Sequence, residues 1–426
     1  MYLLAKFEFG MMLLMLVIIT PAWMLNHSVV WHATAVIGSA VLAISLRFSQ
    51  KFHGYQFTAW IVVAVTAAMI YPARFLHVGE FDLRNHWLIL VVVQMVMFGM
   101  GTQMSLRDFA GVIQSPRGVL VGVLCRFTVM PLAGFALIKL FHFEPEIAAG
   151  VILIGSCSSG LASNVMAYLA KSNLALSVTI TAVTTLLAVV MTPLWMKLLA
   201  GTLIEVKLLN MMLEIVKIVL VPIGAALLHD YLKSAGARSR NIIFSVAATG
   251  AVWLGFLGFG GWNWIQSVVP EPAALAVSLG GFLLGAVLFG VIYHQCWLRH
   301  RWLDARIPFL SMAGIVYFTA VTTAAGRDNL LHVGALLFLV AALHNTLGYV
   351  LGYGLARAAG LDKNSARSIA FEVGIQNGGM ASGIAGAAGK LGTLGLAAAI
   401  FSPWMNVSGS MLANYWSKRP ARIEEK

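Results

Sequence analysis

The sequence predicts an all-α, polytopic membrane protein of about fourteen transmembrane helices, and three observations carry that expectation. The chain has 426 residues, of which 60% are hydrophobic and 10% charged, whereas soluble domains carry about a quarter charged residues. Its mean hydropathy is +0.86 over the whole length, more than a single buried helix produces. Apolar runs of about 17–25 residues, long enough to cross a bilayer, recur from end to end with short loops between them. The usual ~150 residues per domain does not apply, because the bilayer sets the architecture.

The runs cover, in order, residues 9–25, 29–48, 57–75, 86–104, 117–139, 147–170, 174–199, 207–229, 242–260, 273–297, 307–325, 330–356, 367–388 and 392–416. The opening stretch "MYLLAKFEFGMMLLMLVIITPAWML" resembles a signal peptide in hydropathy. It lacks an A-x-A-like cleavage site and carries Lys6 and Glu8, so a retained first helix is expected.

Orientation follows from the loops. With the N-terminus inside, nineteen Lys and Arg residues fall on the inner side, among them Lys171, Lys233, Arg240, Arg301 and Arg357; seven fall outside, among them Arg84, Arg327 and Lys390. This positive-inside bias predicts cytoplasmic N- and C-termini and a multi-pass protein of a bacterial inner (plasma) membrane. It also accounts for the formal charge of +12 without nucleic acid. Two basic residues remain within spans, Arg126 and Lys217; Lys217 is expected to snorkel or to pair with Glu214.

Several function classes find no support. Cys125, Cys157 and Cys296 lie in apolar runs with no CxxC pair and no His/Cys spacing, so neither a disulfide framework nor a transition-metal site is expected. There is no HExxH, no GxSxG and no paired-Asp motif, so no enzyme is expected. A membrane solute sensor needs a signalling appendage, and no long soluble segment is present.

Two spans are poorly made for continuous helices: "GSCSSGLASNVMAYLAKSN" at 155–173 and "EVGIQNGGMASGIAGAAGK" at 372–390. Glycine costs about 1 kcal/mol in a helix interior relative to alanine, and Ser and Asn compete for backbone hydrogen bonds. Freed backbone groups are tolerated at membrane depth only where they line a cavity or meet a partner. A pair of interrupted spans in corresponding positions of two halves points to a secondary transporter with alternating access rather than a channel. Small-residue packing faces explain the glycines and serines but not Asn164 or Glu372. A carboxylate at the bilayer centre costs at least ~2.5 kcal/mol on insertion scales.

The segments "SSGLASNVMAYLAKSNLALSVTITAVTT", "LHNTLGY", "EVGIQNGG" and "WMNVSGSMLANYW" resemble the bile acid:sodium symporter family, over about Phe57 to Trp416 and interrupted at about 235–300. The resemblance implies a ten-helix core of two inverted five-helix repeats, with a panel domain rocking against a core domain. Two broken helices, here 147–170 and 367–388, would cross. It implies a first sodium site from Ser163, Asn164, Ser177, Thr181 and Glu372. A second would use Glu372, Gln376, the backbone at Val373 and Ile375, and a glutamine from the third family helix. That glutamine is replaced here by Arg126, in "VGVLCRFTVMP". Arg126 is expected to stand in for the second sodium by pairing with Glu372; facing the substrate cavity to help hold an anion is the alternative, and snorkelling, which its mid-span position disfavours, is the third. Asn377 and Asn406 would line the substrate cavity, with His344 and Asn345 as further candidates, and Met405 stands where some relatives carry histidine.

The expected function is therefore symporter-type import of an organic anion, bile acid-like or a small carboxylate, coupled to Na⁺ at one site. A sodium-independent or proton-coupled anion transporter is the alternative. Na⁺ as coupling ion, the organic anion and the lipid bilayer are the expected partners, with no other cofactor and with a homodimer open. The expected organisation is an extra helix pair at 1–50, family helices at 51–234, an inserted helix pair at 235–300, the remaining family helices at 301–416 and a cytoplasmic tail at 417–426. The extra pairs suit an enlarged panel, a dimer contact or a lipid-holding role.

Overall fold

In the computed structural model residues 28–48 and 56–419 are described. The expected first run, 9–25, and the tail beyond 419 lie outside the described residues. The chain is built of helices, with one small antiparallel hairpin of β1 (His77–Val78) and β2 (Phe81–Asp82).

The long elements are α1 (Ser28–Ser45), α2 (Gln56–Ile70), α3 (His86–Gly101) and α4 (Pro116–Leu140). Next come the half-helices α5 (Pro145–Ser156) and α6 (Ala162–Leu169), then α7 (Leu174–Trp195) and α8 (Leu208–Leu232). The region 237–299 holds α9 (Ala237–Gly258), α10 (Gly261–Val268) and α11 (Glu271–Arg299). The chain then forms α12 (Leu303–Ala325), α13 (Arg327–Ala358), the half-helices α14 (Lys363–Gly374) and α15 (Gly378–Ala387), and α16 (Leu396–Ser417).

Local sequence sets many of the starts. Asn85 caps α3 by accepting from the Trp87 and Leu88 amides, and Asn173 caps α7 by accepting from Leu176. Pro116 occupies the first turn of α4, where its missing amide hydrogen costs nothing. Asp362 caps α14 through the Asn364 and Ser365 amides. Burial opposes ionisation of Asp362, but these donors outweigh it and hold its carboxyl below the usual value.

Among the described residues, seven helices are long and apolar enough to cross a membrane: α4, α7, α8, α9, α11, α12 and α13. Of the expected fourteen spans, length and composition mark seven among the described residues, or eight if α3 and the bent stretch after it, Leu106–Gln114, form one span. The two interruptions leave half-helices too short to span alone, and α1, α2 and α3 are also short.

The helices pack in two groups. In one, α3 packs on α8 and α12, α12 packs on α2, and α1 lies on α2. The pair α9 and α11 packs on itself, and α11 joins the group through α8. Helices α1 and α9–α11 therefore extend this first group. In the second, α4 contacts α5, α7, α13 and α14, and α16 lies against α13, α5 and α6. The groups meet where α15 packs on α3, α7 on α8, and α16 on α12 and α2. Lys217 pairs with Glu214 at 3.1 Å, as expected, and lies over the Phe282 ring.

Candidate functional site

The site is built where two breaks meet. The chain leaves the helix after Ser156 and re-enters it at Ala162; it leaves again after Gly374 and re-enters at Gly378. The two extended stretches pair antiparallel at Ser159 and Gln376. The Asn377 amide donates to the Ser158 carbonyl at 2.9 Å, and the Gly160 amide to the Ile375 carbonyl at 3.4 Å. Each break thus satisfies part of the other's backbone, which the hydrocarbon region demands. Gly160 is required by close approach: a Cβ there would sit 2.5 Å from the Gln376 carbonyl oxygen.

The pair Gly378–Gly379 does not unwind its helix. Both residues lie in the first turn of α15, which Asn377 caps by accepting from the Met380 amide at 3.0 Å. A Cβ on Gly378 would lie 1.9 Å from Ser402 Oγ, so this glycine serves close packing against α16.

Glu372 is fully buried in the last turns of α14. One carboxylate oxygen accepts from Ser163 Oγ at 2.6 Å and Ser177 Oγ at 2.5 Å; the other accepts from Thr181 Oγ1 at 2.9 Å. Ser177 and Thr181 are four residues apart and share one face of α7. Asn164 Oδ1 closes the group, within hydrogen-bond reach of Ser177 at 2.9 Å and Thr181 at 3.2 Å. Ser159 Oγ holds the Glu372 carbonyl at 2.8 Å. The five side chains from α6, α7 and α14 thus form an all-oxygen set with one formal negative charge. Oxygen ligands suit a hard cation, and hydroxyls rotate freely to turn lone pairs toward one.

Arg126 is fully buried on α4. Its Nη1 donates to the Val373 carbonyl at 3.2 Å, and its Nη2 to the carbonyls of Cys157 and, at 3.1 Å, Ser158. Nε alone has no partner. Gln376 Nε2 donates to the Val373 carbonyl at 2.8 Å and to Gly374 at 3.2 Å. The guanidinium therefore sits where α5 and α14 end, at the negative poles of two half-helices. The expected ion pair between Arg126 and Glu372 is not formed. The carboxylate meets three hydroxyl donors, while the helix-end carbonyls of Cys157, Ser158 and Val373 draw the guanidinium instead.

The expected substrate residues divide. Asn377 is buried, and its Nδ2 reaches Ser158 Oγ at 3.3 Å. Asn406 is half-buried and bonds its own helix at the Ser402 carbonyl, 2.9 Å away. His344 is fully buried, with Nε2 on the Met130 carbonyl at 2.8 Å and the ring edge-on to Phe401. Asn345 holds the Gly374 carbonyl at 2.9 Å and accepts from Ser408 at 2.5 Å. His344 and Asn345 thus secure α13 to α4, α14 and α16. Met405 Sδ lies 3.3 Å from the Gln376 amide nitrogen, beneath the second break.

Two further polar groups carry no pattern in the sequence. At the outer ends of the broken helices, Glu146 binds Lys390 at 2.6 Å and Thr393 at 2.5 Å. In the other helix group, His229 on α8 faces His294 on α11, Nδ1 to Nδ1 at 3.2 Å. There Asp304 accepts from Tyr293 at 2.8 Å and pairs with Lys233 at 3.0 Å. These residues come from separate apolar runs, so only the packing of those runs reveals the cluster. Among the described residues no group of three His, Cys, Asp or Glu side chains is placed to hold a metal ion.

Residues 90–262 match the Sodium Bile acid symporter family. The chain is 32% identical over 375 residues to the "Uncharacterized sodium-dependent transporter YocS" of Bacillus subtilis, covering 88% of this chain and 94% of that one. It is 28% identical over 384 residues to the "Probable sodium/metabolite cotransporter BASS1, chloroplastic" of Arabidopsis thaliana, covering 89% and 78%. The human "Ileal sodium/bile acid cotransporter" is 28% identical over 295 residues, 68% of this chain and 66% of that protein. Among solved structures, the sodium proton antiporter MjNhaP1 of Methanocaldococcus jannaschii shares the fold at a TM-score of 0.50 and 11% identity, over 94% of this chain and all of that one.

Proposed function

The chain belongs to the sodium bile acid symporter family and is an integral, multi-pass membrane protein; on that premise we propose that it imports an organic anion by alternating access, coupled to a single sodium ion. The observation that carries this reading is the pair of sites at the crossover. Ser163, Asn164, Ser177 and Thr181 converge with Glu372 on an all-oxygen set. The carbonyls at the ends of α5 and α14 already face a fixed cation, Arg126.

A bound Na⁺ at the first set neutralises Glu372 and ties α6, α7 and α14 together. At the second set the guanidinium supplies the charge that a second Na⁺ would bring. Arginine stays charged throughout and is covalently held, so it cannot leave with the substrate. Its positive charge offsets the exposed carbonyls but contributes nothing to the coupling gradient. Val373, Ile375 and Gln376 are then structural partners of Arg126 and of the crossover, not ligands of a mobile ion.

The half-helices end at the crossover, where an organic carboxylate meets Asn377 and the capped start of α15. Helix N-termini favour anions. Asn406, in the following helix, is assigned to the same cavity. The group α2, α3, α8 and α12 acts as the rocking panel, and residues 51–234 and 301–416 supply the ten family helices as two inverted repeats, with 235–300 inserted. The excess of basic residues on one side supports cytoplasmic termini in a bacterial inner membrane.

A thermal-unfolding screen of the purified chain tests this. Organic carboxylates, bile acids included, are added in Na⁺ or in K⁺, and hits are followed by saturable uptake and counterflow in proteoliposomes. An anion that stabilises the protein in Na⁺ and is taken up saturably supports the reading by linkage. Equal stabilisation in K⁺, with uptake indifferent to Na⁺, sinks the coupling.

A further inference from the structure

Away from the crossover, at the end of the inserted helices, lies a cleft of about 490 Å³. Lys233 at the end of α8, Arg240 and Asn241 at the start of α9, and His294, Trp297 and Arg301 around the end of α11 line it. Trp297 orders two of the cations. The Arg301 guanidinium carbon lies 3.7 Å from its ring centroid and Lys233 Nζ 5.3 Å from it. Lys233 is paired with Asp304 at 3.0 Å and Asp230 at 3.6 Å. Arg240 and Arg301 have no carboxylate partner among the described residues. The floor is His294, held against the buried His229. One uncompensated guanidinium, that of Arg301, rests on the Trp297 ring, a second, that of Arg240, lines the same cleft, and no Asp or Glu is among the lining residues.

The surroundings indicate which anion. Only 11% of the most apolar stretch of α9, and likewise of α11, is buried within the protein. Ile242, Phe289, Ile292 and Leu298 are exposed along those helices. The cleft therefore lies beside a helix pair clad in lipid. Its basic residues share the end that carries the excess of Lys and Arg, the side of the anionic leaflet surface. We propose that this cleft binds the phosphodiester headgroup of an anionic phospholipid, with the acyl chains along α9 and α11. The inserted pair would thus fasten the panel-side helices to a lipid through α8 and leave the crossover untouched.

The test uses the full chain in neutral detergent. Thermal unfolding is followed with added phosphatidylglycerol, phosphatidylcholine or inorganic phosphate. Phosphatidylglycerol is expected to raise Tm above phosphatidylcholine by about 2 °C or more, because a ligand that binds only the folded chain stabilises it. Inorganic phosphate at the same concentration is expected to do nothing. The double variant Arg240→Gln/Arg301→Gln loses that shift while melting like wild type in phosphatidylcholine. Should the double variant fail to fold, Arg240→Gln alone must at least halve the shift. The proposal is overturned by a phosphatidylglycerol shift that survives these variants or by the absence of any shift. An equal shift from inorganic phosphate overturns the lipid as its source.

Discussion

Arg126 Nη1 and Gln376 Nε2 donate to the same atom, the carbonyl oxygen of Val373, at 3.2 and 2.8 Å. One donor is charged and the other neutral, and together they cover the Val373 carbonyl. Val373 directly follows Glu372, so one turn of α14 presents a carboxylate to one oxygen-rich site and a carbonyl to a guanidinium. The two sites are adjacent in sequence but chemically separate.

Arg126 is therefore a structural cation, and its removal has a cost. In Arg126→Met, the carbonyls of Cys157, Ser158 and Val373 lose a charged donor; Ser158 and Val373 keep the Asn377 amide and Gln376 Nε2, while the buried Cys157 carbonyl is left unsatisfied at a cost of about 1–3 kcal/mol. Thermal unfolding is expected to rank wild type above Arg126→Lys and Arg126→Met lowest, because lysine keeps the charge but loses the fork. A methionine variant as stable as wild type in Na⁺-free buffer contradicts this.

Glu372→Gln keeps the side-chain volume and removes the charge. Wild-type protein is expected to melt higher in NaCl than in KCl, and the variant to melt alike in both. Ser177→Ala and Thr181→Val each remove one oxygen of the set. At roughly 1–1.5 kcal/mol per lost interaction, each weakens sodium affinity by about tenfold. An undiminished sodium response in Glu372→Gln places the ion elsewhere.

Gly160→Ala tests the crossover itself. The added methyl meets the Gln376 carbonyl at 2.5 Å, and such overpacking costs about 1–3 kcal/mol. Gly354→Ala in α13 is the control, with nothing within 4 Å of the new carbon; it is expected to be neutral or slightly stabilising. Lowered stability and lost uptake in the first variant only are the expected outcome.

The helices and the two interruptions were legible because hydropathy marks the first and a run of Gly, Ser and Asn the second. The set of Ser163, Asn164, Ser177, Thr181 and Glu372 came from the family resemblance; helical spacing alone placed only Ser177 and Thr181 on one face. The partners of Arg126 were not legible. Helix-end carbonyls carry no residue signature, so a nearby carboxylate looked the better partner in sequence. The role of Gly378 was hidden for a related reason: only its neighbour Ser402 in α16 shows that it packs rather than bends. His344 was a candidate because a polar side chain in a span attracts notice; its Nε2 meets the Met130 carbonyl, and its buried Nδ1 has no partner. The His229–His294 contact joins helices 65 residues apart, a distance over which periodicity says nothing.

The central claim is one mobile sodium ion per chain, with Arg126 covering the second site. Equilibrium binding of radioactive sodium to the purified protein tests it without knowledge of the substrate. One ion per chain in wild type and none in Glu372→Gln is the predicted result. Two ions per chain in wild type, or binding that survives the loss of Glu372, contradicts it.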